Sequence, residues 1–414
     1  MQFFLLVCLG IVAYTYVGYG ILITLLVKIR SSIKPRLPLA DDDNYTPMVT
    51  LVMAAYNEMG CLSAKLKNSR ELDYPAKNLK LLFVTEGSTD GSTAWLESIR
   101  ADGDSQIEVL GGNERAGKVA AMNRAMTHVK TPIVIFSDAN TQLNTRAIRN
   151  LVRHFRDETV GAVAGEKRIE VLDSESAAGS GEGLYWKYES YLKKKDAQLH
   201  TVVGAAGELF TLRTSLYETV EPDTLLDDFI ISLRIAGHGY RVEYEPDAYA
   251  LERPSFSIDE EKKRKVRIAA GGFQSIMRLL YLLNIGRYGW LTFQYVSHRV
   301  LRWAVTPFCL PLIWLANLAL IVPVDQATSN PLYLLWVVFF AGQCLFYGAA
   351  YVGYRLEHRE IRVKALFVPF YFTFMNVCAI LGFMRYWRGN TSGVWEKARR
   401  ADDVDVNLVS KSVS

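Results

Sequence analysis

Four carboxylates stand at the ends of predicted strands or at the start of a predicted helix. They are Glu86, Asp138 and the adjacent pair Asp227 and Asp228. A carboxylate in such a place can accept hydrogen bonds from a nucleotide, help to hold a divalent cation, or take a proton from a hydroxyl group. The four residues therefore predict a site for an anionic nucleotide, a cation and a hydroxyl-bearing acceptor.

Two arginines follow these acids along the chain. Arg264 and Arg267 are three residues apart on a predicted helix, so their side chains share a face and can bind the oxygens of a diphosphate. The alternative is a basic helix on an anionic lipid surface, which accounts for the neighbouring Lys262, Lys263 and Lys265.

Alternating strands and helices must position these residues. Apolar, β-prone runs predict strands at 48–54, 80–85, 106–110, 132–137 and 160–164. Helical patterns lie between them, at 58–70, 92–100, 117–129 and 145–155. This order predicts an α/β fold in which a mostly parallel, Rossmann-like sheet carries helices on both faces. Ligands of such sheets bind beyond the carboxyl ends of the strands, where residues 55–58, Glu86 and Asp138 lie.

The pattern is less regular between residues 165 and 285. It predicts an amphipathic helix at 185–195, a turn-rich loop at 204–208, a strand at 209–212, and helices at 227–236 and 258–283. Asp227 and Asp228 fall in the first turn of their helix, where the helix dipole stabilises carboxylates.

Four apolar stretches flank this block. Residues 3–27 contain no charged residue and are long enough to cross the hydrocarbon core of a membrane. A secretory signal is disfavoured because the run is long, no basic residue precedes it and no small-residue cleavage site follows. Three more stretches of similar character lie at about 303–323, 331–354 and 365–384.

Charged residues beside the stretches predict their orientation. The four basic residues between 28 and 36 have no acid among them, so the positive-inside rule places the middle block in the cytosol. By the same rule the loop 324–327 lies outside and the loop 355–364 inside. The basic tail also prefers the inside, so the last stretch either crosses against the rule or re-enters, which Pro369 and Asn376 permit.

Length and composition bound the remaining possibilities. The 414 residues divide into an N-terminal transmembrane helix at 1–28, a cytosolic domain at 29–285, interfacial and transmembrane helices at 286–390, and a polar tail at 391–414. A net charge of +4, with basic residues beside the apolar stretches, gives no support to nucleic-acid binding. Five scattered cysteines without a CxxC pair indicate neither a disulfide framework nor a zinc site.

Six short segments occur together in one order. They are residues 52–58, 86–92, 117–123, 137–140, 226–229 and 264–267. Together they resemble the membrane-integrated family 2 glycosyltransferases, which include cellulose, hyaluronan, chitin-oligomer and poly-N-acetylglucosamine synthases. The resemblance covers about residues 46–285 and the flanking apolar stretches. It implies a GT-A fold, a UDP-sugar donor and inversion at the anomeric carbon.

The resemblance also assigns a donor site. Uracil and ribose would be held by Tyr56, Asn57, Glu86 and Asp138, and Glu86 stands where the family usually has Asp. The residues expected to bind the donor are Ala55, Tyr56, Glu58, Glu86, Lys118, Asp138, Arg264 and Arg267. Taken singly, residues 57–58 and 86–88 are typical of turns and helix caps, and Lys118 of a solvated helix start.

Residues 138–140 occupy the position of the family's DxD motif. This implies a site for Mg²⁺ or Mn²⁺ at Asp138 and Asn140, although Asn140 replaces the second acid of the motif. An amide oxygen binds a hard cation without contributing charge, so we expect a lowered affinity for the metal.

The resemblance assigns catalysis to the acid pair. Asp228 matches the Asp of the family's ED motif and is expected to accept the proton of the acceptor hydroxyl group. Asp227 stands where the family has Glu, and its charge would raise the pKa of Asp228. The alternative is that both carboxylates only cap their helix.

We expect the acceptor to lie against Trp186, Gly207 and Glu208. Arg264 and Arg267 match the family's Q/RxxRW motif, but Ile268 replaces its Trp. In the polymerising enzymes that aromatic residue stacks against the acceptor, so Ile268 argues against long processive synthesis unless Trp186, Tyr188 or Phe273 substitutes for it.

The expected function is transfer of a sugar from a UDP-sugar to a growing polysaccharide or glycolipid at the cytosolic face of a cell membrane, in exopolysaccharide or cell-envelope glycan synthesis. Two alternatives stay open. One is a transferase that adds a single sugar to a polyprenyl-phosphate-linked acceptor. The other is a catalytically degenerate scaffold of a secretion system, which Glu86 and Asn140 favour. A transporter is disfavoured because the apolar stretches contain almost no charge.

Overall fold

A computed structural model describes residues 1–35, 44–103, 105–169, 177–252, 257–322, 331–357 and 363–389. In these residues one mixed sheet and its covering helices form a domain, and long apolar helices pack against α-helices of that domain. The predicted tail at 391–414 and the loop at 324–327 lie outside the described residues.

The strands of the sheet are β1 (Val49–Ala54), β2 (Leu79–Glu86), β3 (Ile107–Gly112), β4 (Ile133–Asp138), β5 (Gln142–Leu143), β6 (Val160–Ile169), β7 (Leu209–Arg213) and β8 (Arg241–Glu252). Their order is β3-β2-β1-β4-β7-β6-β8-β5. β1 to β4 pair in parallel, and so do β6 and β8. β7 runs antiparallel to β4 and β6, and β5 runs antiparallel to β8. The predicted Rossmann-like α/β fold is confirmed, with a parallel half and a mixed half.

The central strands are continuous apolar runs because both faces of the sheet are covered. In β1, Val52 packs into one buried cluster and Leu51 into the other. In β4, Phe136 and Ile135 divide between the same two clusters. The parallel strands are therefore fixed in register, and their carboxyl ends meet at one edge.

The described α-helices are α1 (Gln2–Ala13), α2 (Tyr19–Ile33), α3 (Met59–Arg70), α4 (Ser92–Ala101), α5 (Lys118–Met126), α6 (Ala147–Val152), α7 (Ala177–Leu199), α8 (Asp227–Gly237), α9 (Ile258–Arg278), α10 (Ile285–Tyr288), α11 (Trp290–Tyr295), α12 (Thr306–Ile321), α13 (Tyr333–Glu357) and α14 (Lys364–Trp387). Two π-helical segments, Tyr14–Gly18 and Val296–Val305, join α1 to α2 and α11 to α12.

Four continuous helical stretches among the described residues are long and apolar enough to cross a membrane. They are Gln2–Ile33, Trp290–Ile321, Tyr333–Glu357 and Ala365–Trp387. The second begins earlier than the apolar pattern predicts, because its first part contains Arg299 and Arg302, whose charges are paired with the buried Glu189 of α7. The chain is thus a membrane-associated protein with an α/β domain.

The last apolar helix is unbroken at both residues that permitted re-entry. Pro369 lies inside α14, and the amide of Asn376 donates to the Phe372 carbonyl of the same helix at 2.8 Å. Asn376 also accepts a hydrogen bond of 2.9 Å from the hydroxyl of Tyr16, which ties α14 to the first apolar helix.

α14 also packs closely along α9. Gly382 approaches α9 so tightly that a Cβ atom there would lie 2.4 Å from the Cβ of Ala269. Because α9 contains Arg264 and Arg267, this packing connects the apolar helices directly to the predicted site.

Candidate active site

A cleft opens where β1, β2 and β4 end. The predicted site residues that line it are Ala55, Tyr56, Glu58, Glu86, Lys118, Asp138 and Asn140. The structure therefore brings the predicted donor and metal residues of four separate segments into one cleft, at the carboxyl edge of the sheet where α/β folds bind ligands.

The loop after β1 is shaped by Asn57, whose φ of 52° is in the left-handed region that Asn tolerates better than most residues. Its side-chain oxygen accepts a 2.8 Å hydrogen bond from the backbone N–H of Thr89, and its own N–H donates to the hydroxyl of Ser88 at 3.1 Å. These contacts lock together the loops after β1 and β2. Asn57 thus performs the turn role, and its neighbour Tyr56 faces the cleft.

Glu86 is held at the cleft wall by a cation that the sequence did not single out. Its carboxylate lies 3.2 Å from Nη1 of Arg124, whose Nη2 donates to the Gly111 carbonyl at 2.8 Å. The pair presents an acceptor and a donor side by side, which suits the edge of a nucleobase. Arg124 also fixes the longer side chain that Glu has in comparison with Asp.

Arg115 is a second cleft residue that the sequence reading missed. Its guanidinium lies 4.1 Å from the centroid of the Tyr56 ring, a cation–π distance. Gly87 has a φ of 67°, and a Cβ there would lie 2.7 Å from the backbone nitrogen of Arg115. Only glycine permits this approach, and the sole available signal in the sequence was a basic residue just before Gly117 and Lys118.

Lys118 joins three parts of the site from the first position of α5. Its Nζ lies 2.7 Å from Oδ1 of Asp138 and 3.9 Å from Oδ2 of Asp227, and it donates to the Gly207 carbonyl at 3.4 Å. Burial alone would lower the pKa of Lys118, but Asp138 and Asp227 hold it well above its usual range. Lys118 is therefore a permanent cation at the centre of the acids.

Asp227 and Asp228 are the first two residues of α8. Leu226 is the N-cap residue, and no side chain caps the helix by a hydrogen bond. Oδ2 of Asp227 is buried and accepts no hydrogen bond from any described residue. Burial, and next the charge of Asp227, raise the pKa of Asp228 to about 7, although Lys118 opposes them. A carboxylate with this pKa is suited to accept a proton near neutral pH.

Gly207 lies directly against this carboxylate. A Cβ at Gly207 would be 3.5 Å from Oδ2 of Asp228 and 3.8 Å from Nζ of Lys118. Because glycine has no side chain, only its backbone lies against the Asp228 carboxylate. That the acceptor lies against Gly207 stays a prediction.

The other two predicted acceptor residues meet at Lys167. Its Nζ lies 2.5 Å from the Glu208 carboxylate and pairs with Glu252 as well. Burial would raise the pKa of Glu208, but Lys167 outweighs it and lowers that pKa to about 2. The Trp186 ring lies 5.6 Å from the ammonium groups of both Lys167 and Lys265.

The two predicted arginines of α9 have different surroundings. Arg264 binds both carboxylate oxygens of Glu261, at 3.0 and 3.2 Å. Arg267 is half-buried; burial, and next the charge of Arg264, lower its pKa, while the charges of Asp227 and Asp138 act against this. Neither arginine is among the residues that line the cleft, but the charges of Asp227 and Asp138 act on Arg267.

The residues present fit a divalent cation only in part. Oδ1 of Asn140 is buried and has no hydrogen-bond partner among the described residues, so it is available to a cation beside Asp138. However, no group of three His, Cys, Asp or Glu side chains in the described segments converges as a metal site. A cation here needs further oxygen ligands, such as those of a diphosphate.

Comparison with known proteins agrees with this geometry. Residues 50–220 match the family model of glycosyl transferase family 2. The chain contains a family 2 glycosyltransferase domain. The fold and the enzyme class predicted from the sequence motifs are thereby confirmed.

Relatives of this glycosyltransferase domain include poly-beta-1,6-N-acetyl-D-glucosamine synthases. That of Staphylococcus aureus (strain MSSA476) is 26% identical over 235 residues, and that of Staphylococcus epidermidis is 24% identical over the same length. Each alignment covers 56% of this chain and 56% of the relative, so the chain spans about half the length of the curated relatives it matches.

The fold of the chain is similar to that of a mannosyltransferase from Pyrobaculum calidifontis, solved in complex with GDP-Man and Mn²⁺. The TM-score is 0.69 at 22% identity, and the similarity covers 93% of this chain and 99% of the other. The likeness extends beyond the glycosyltransferase domain, because the share of this chain that it covers is larger than residues 50–220.

Proposed function

We propose that the protein is an inverting, membrane-bound glycosyltransferase that moves a sugar from a UDP-sugar to a growing glycan or lipid-linked acceptor. The observation that carries the proposal is the placement of Asp228 against Gly207 and close to Lys118, a residue that lines the acid-bearing cleft. The proposed base Asp228, the proposed acceptor position at Gly207 and the proposed phosphate-binding cation Lys118 thus lie side by side.

The nucleotide would occupy the cleft at the edge of the parallel strands. Tyr56 under Arg115 offers an aromatic surface for the base, and Glu86 with Arg124 offers a hydrogen-bonding pair. Lys118 lies at the start of α5, where backbone N–H groups also favour phosphate. Arg267 of α9 would supply a second cation, since the charges of Asp227 and Asp138 act on it.

Transfer would proceed by a single displacement. The acceptor oxygen attacks the anomeric carbon and forms the new glycosidic bond, the bond from that carbon to the diphosphate oxygen breaks, and the acceptor proton passes to Asp228. Lys118 and Arg267 stabilise the negative charge that develops on the leaving diphosphate. The configuration at the anomeric carbon inverts because attack and departure occur on opposite faces.

A divalent cation, Mg²⁺ or Mn²⁺, would be held by Asp138 and Asn140 together with the donor. The mannosyltransferase with the similar fold was solved with Mn²⁺. When bound, such a cation neutralises charge on the diphosphate. Because Asn140 contributes no charge, Lys118 and Arg267 carry a larger share of that task in this protein.

The membrane places the active site on one side. We propose that the domain is cytosolic, because Lys28 and Arg30 end the first apolar helix, which leads into the domain. The close packing of Gly382 on α9 keeps this end of α14 at the domain. The acceptor then reaches Asp228 at the junction between the domain and the apolar helices.

Two product classes follow from the same chemistry. The synthase relatives make a polymer, and Trp186 between Lys167 and Lys265 is an aromatic residue near Gly207 and Glu208 that can support a glycan. Ile268, in place of the aromatic residue of the related motif, favours the addition of a single sugar.

The test is a panel of UDP- and GDP-sugars with the full-length protein purified in detergent, with Mg²⁺ or Mn²⁺ and with lipid-linked and oligosaccharide acceptors. We expect transfer from a UDP-sugar, with product masses spaced by one sugar residue if a polymer forms. Absence of transfer and of donor hydrolysis across the panel would leave the scaffold alternative instead.

A further inference from the structure

A buried lysine lies beneath the cleft and does not line it. Lys65 of α3 is 1% exposed, and its Nζ donates to the hydroxyl of Ser137 at 2.8 Å and to the carbonyl of Thr141 at 2.9 Å. The hydroxyl of Thr141 is a third partner at 3.4 Å. Each of these partners belongs to the segment that contains Asp138 and Asn140.

This arrangement is costly for the folded protein. An ammonium group is rarely buried without a carboxylate, because it loses its hydration. Lys65 has no ion pair within the described residues, and burial lowers its pKa to about 7, although Asp138 opposes this. An apolar side chain of the same length would avoid the cost, so the lysine needs a reason.

The reason lies in the turn that follows β4. The hydroxyl of Thr141 donates to the Asp138 carbonyl at 2.9 Å, and the Ser137 and Thr141 hydroxyls lie 3.3 Å apart. Lys65 thus clasps the two residues that bracket Asp138 and Asn140. The clasp keeps the turn closed and leaves Oδ1 of Asn140 without a hydrogen-bond partner among the described residues.

We propose that Lys65 is a positioning residue for the donor site, which preorganises Asp138 and Asn140 for the diphosphate and its cation. The inference rests on the proposed function and deepens it. In a loop whose second acid is replaced by an amide, correct placement of the remaining oxygens compensates for the missing charge. A lysine clasp reaches three oxygens of the turn at once, which no apolar residue can do.

The experiment is calorimetric titration of the full-length protein with UDP, with and without Mn²⁺. We expect Lys65→Met, which fills the same space, to weaken UDP binding in the presence of Mn²⁺ about tenfold, the loss that corresponds to one or two hydrogen bonds. Binding without Mn²⁺ should change less. In transfer assays the KM for the donor should rise, while kcat at saturating donor changes little.

Ser69→Ala is the matched control. Ser69 lies one helical turn after Lys65, is also 1% exposed, and donates to the Lys65 carbonyl of its own helix. Within the described segments its hydroxyl donates only to the Lys65 carbonyl and to the sulfur of Met53, and not to the turn after β4. A purely structural role would make Lys65→Met and Ser69→Ala alike in UDP affinity once both are folded, and that result would overturn the proposal.

If Lys65→Met does not fold, Thr141→Val tests the same proposal. This variant leaves the lysine and removes one hydroxyl of the clasp, so we expect a smaller loss of UDP affinity in the same direction. An unchanged affinity would count against the clasp. Failure of the unaltered protein to bind UDP under any condition would instead refute the proposed function itself.

Discussion

Two buried polar clusters in this protein are built in opposite ways. The cleft cluster consists of Lys118, Asp138, Asp227 and Asp228. The junction cluster lies where α7 meets the apolar helices and consists of Glu189, Asp196, His298, Arg299 and Arg302. Both contain several charged side chains, but only the cleft cluster has a buried polar atom without a hydrogen-bond partner among the described residues.

The junction cluster is closed. Glu189 lies 2.6 Å from Nη2 of Arg299 and 2.8 Å from Nη1 of Arg302. Asp196 accepts from the Tyr19 hydroxyl and contacts Nδ1 of His298, each at 2.5 Å. Burial would raise the pKa of Glu189, but Arg299 and His298 hold it well below its usual range.

The cleft cluster is open. Three acids share one lysine, and Oδ2 of Asp227 has no hydrogen-bond partner in the described part of the chain. Asp228 has a raised pKa, whereas Glu189 has a lowered one. Buried charges that only stabilise the fold are thus paired with each other. Charges that serve a ligand and a proton keep atoms without a hydrogen-bond partner in the protein.

Breaking the junction cluster should have the largest effect on stability. Glu189→Gln leaves Arg299 and Arg302 buried without their counter-charge, which costs about 3–5 kcal/mol for a buried pair. Denaturant unfolding in detergent measures this loss. Glu71→Gln is the control, since Glu71 and its partner Lys67 are 62% and 77% exposed and their pair should contribute almost nothing. Equal stability of the two variants would show that the junction cluster does not hold the fold.

Removing the Asp228 charge from the cleft cluster should stabilise the protein at high pH, the opposite of the effect of Glu189→Gln. Asp228 ionises near pH 4 in the unfolded chain and near pH 7 in the fold, so its contribution to stability is full below pH 4 and declines as the pH rises to 7. Asp228→Asn should therefore raise the Tm at pH 8 by about 2–4 °C, and have little effect at pH 4. Thermal unfolding at the two pH values measures this. A lowered Tm at pH 8 would place Asp228 among the structural charges.

The sequence predicted the strands correctly where the buried residues are apolar. The apolar runs of β1, β2 and β4 predicted their strands to within one or two residues. β8 was missed, although it is the longest strand described, because three of its buried residues are acids. Two of them are neutralised by cations from other elements, Glu245 by Arg153 and Glu252 by Lys167, and Glu243 pairs with Arg241 of the same strand. No local pattern reveals such partners.

The sequence predicted the acidic residues of the site better than its cationic residues. Asp138, Lys118 and Glu86 stand in short segments with recognisable spacing, and the cleft unites them. Arg124 and Lys65 lie within ordinary helical patterns, and their roles depend on which way a helix face turns in the fold. The direction of a side chain toward another element is a tertiary property that one sequence does not display.

The central claim is that Asp228 serves chemistry, and transfer by Asp228→Asn tests it most directly. Donor binding is measured by UDP titration in the same preparation, so that loss of folding is distinguished from loss of catalysis. If Asp228 is the general base, UDP affinity should stay within about twofold of that of the unaltered protein, and transfer should fall about 10²–10⁴-fold, the contribution of a general base. Transfer at a comparable rate, with UDP bound, would contradict it.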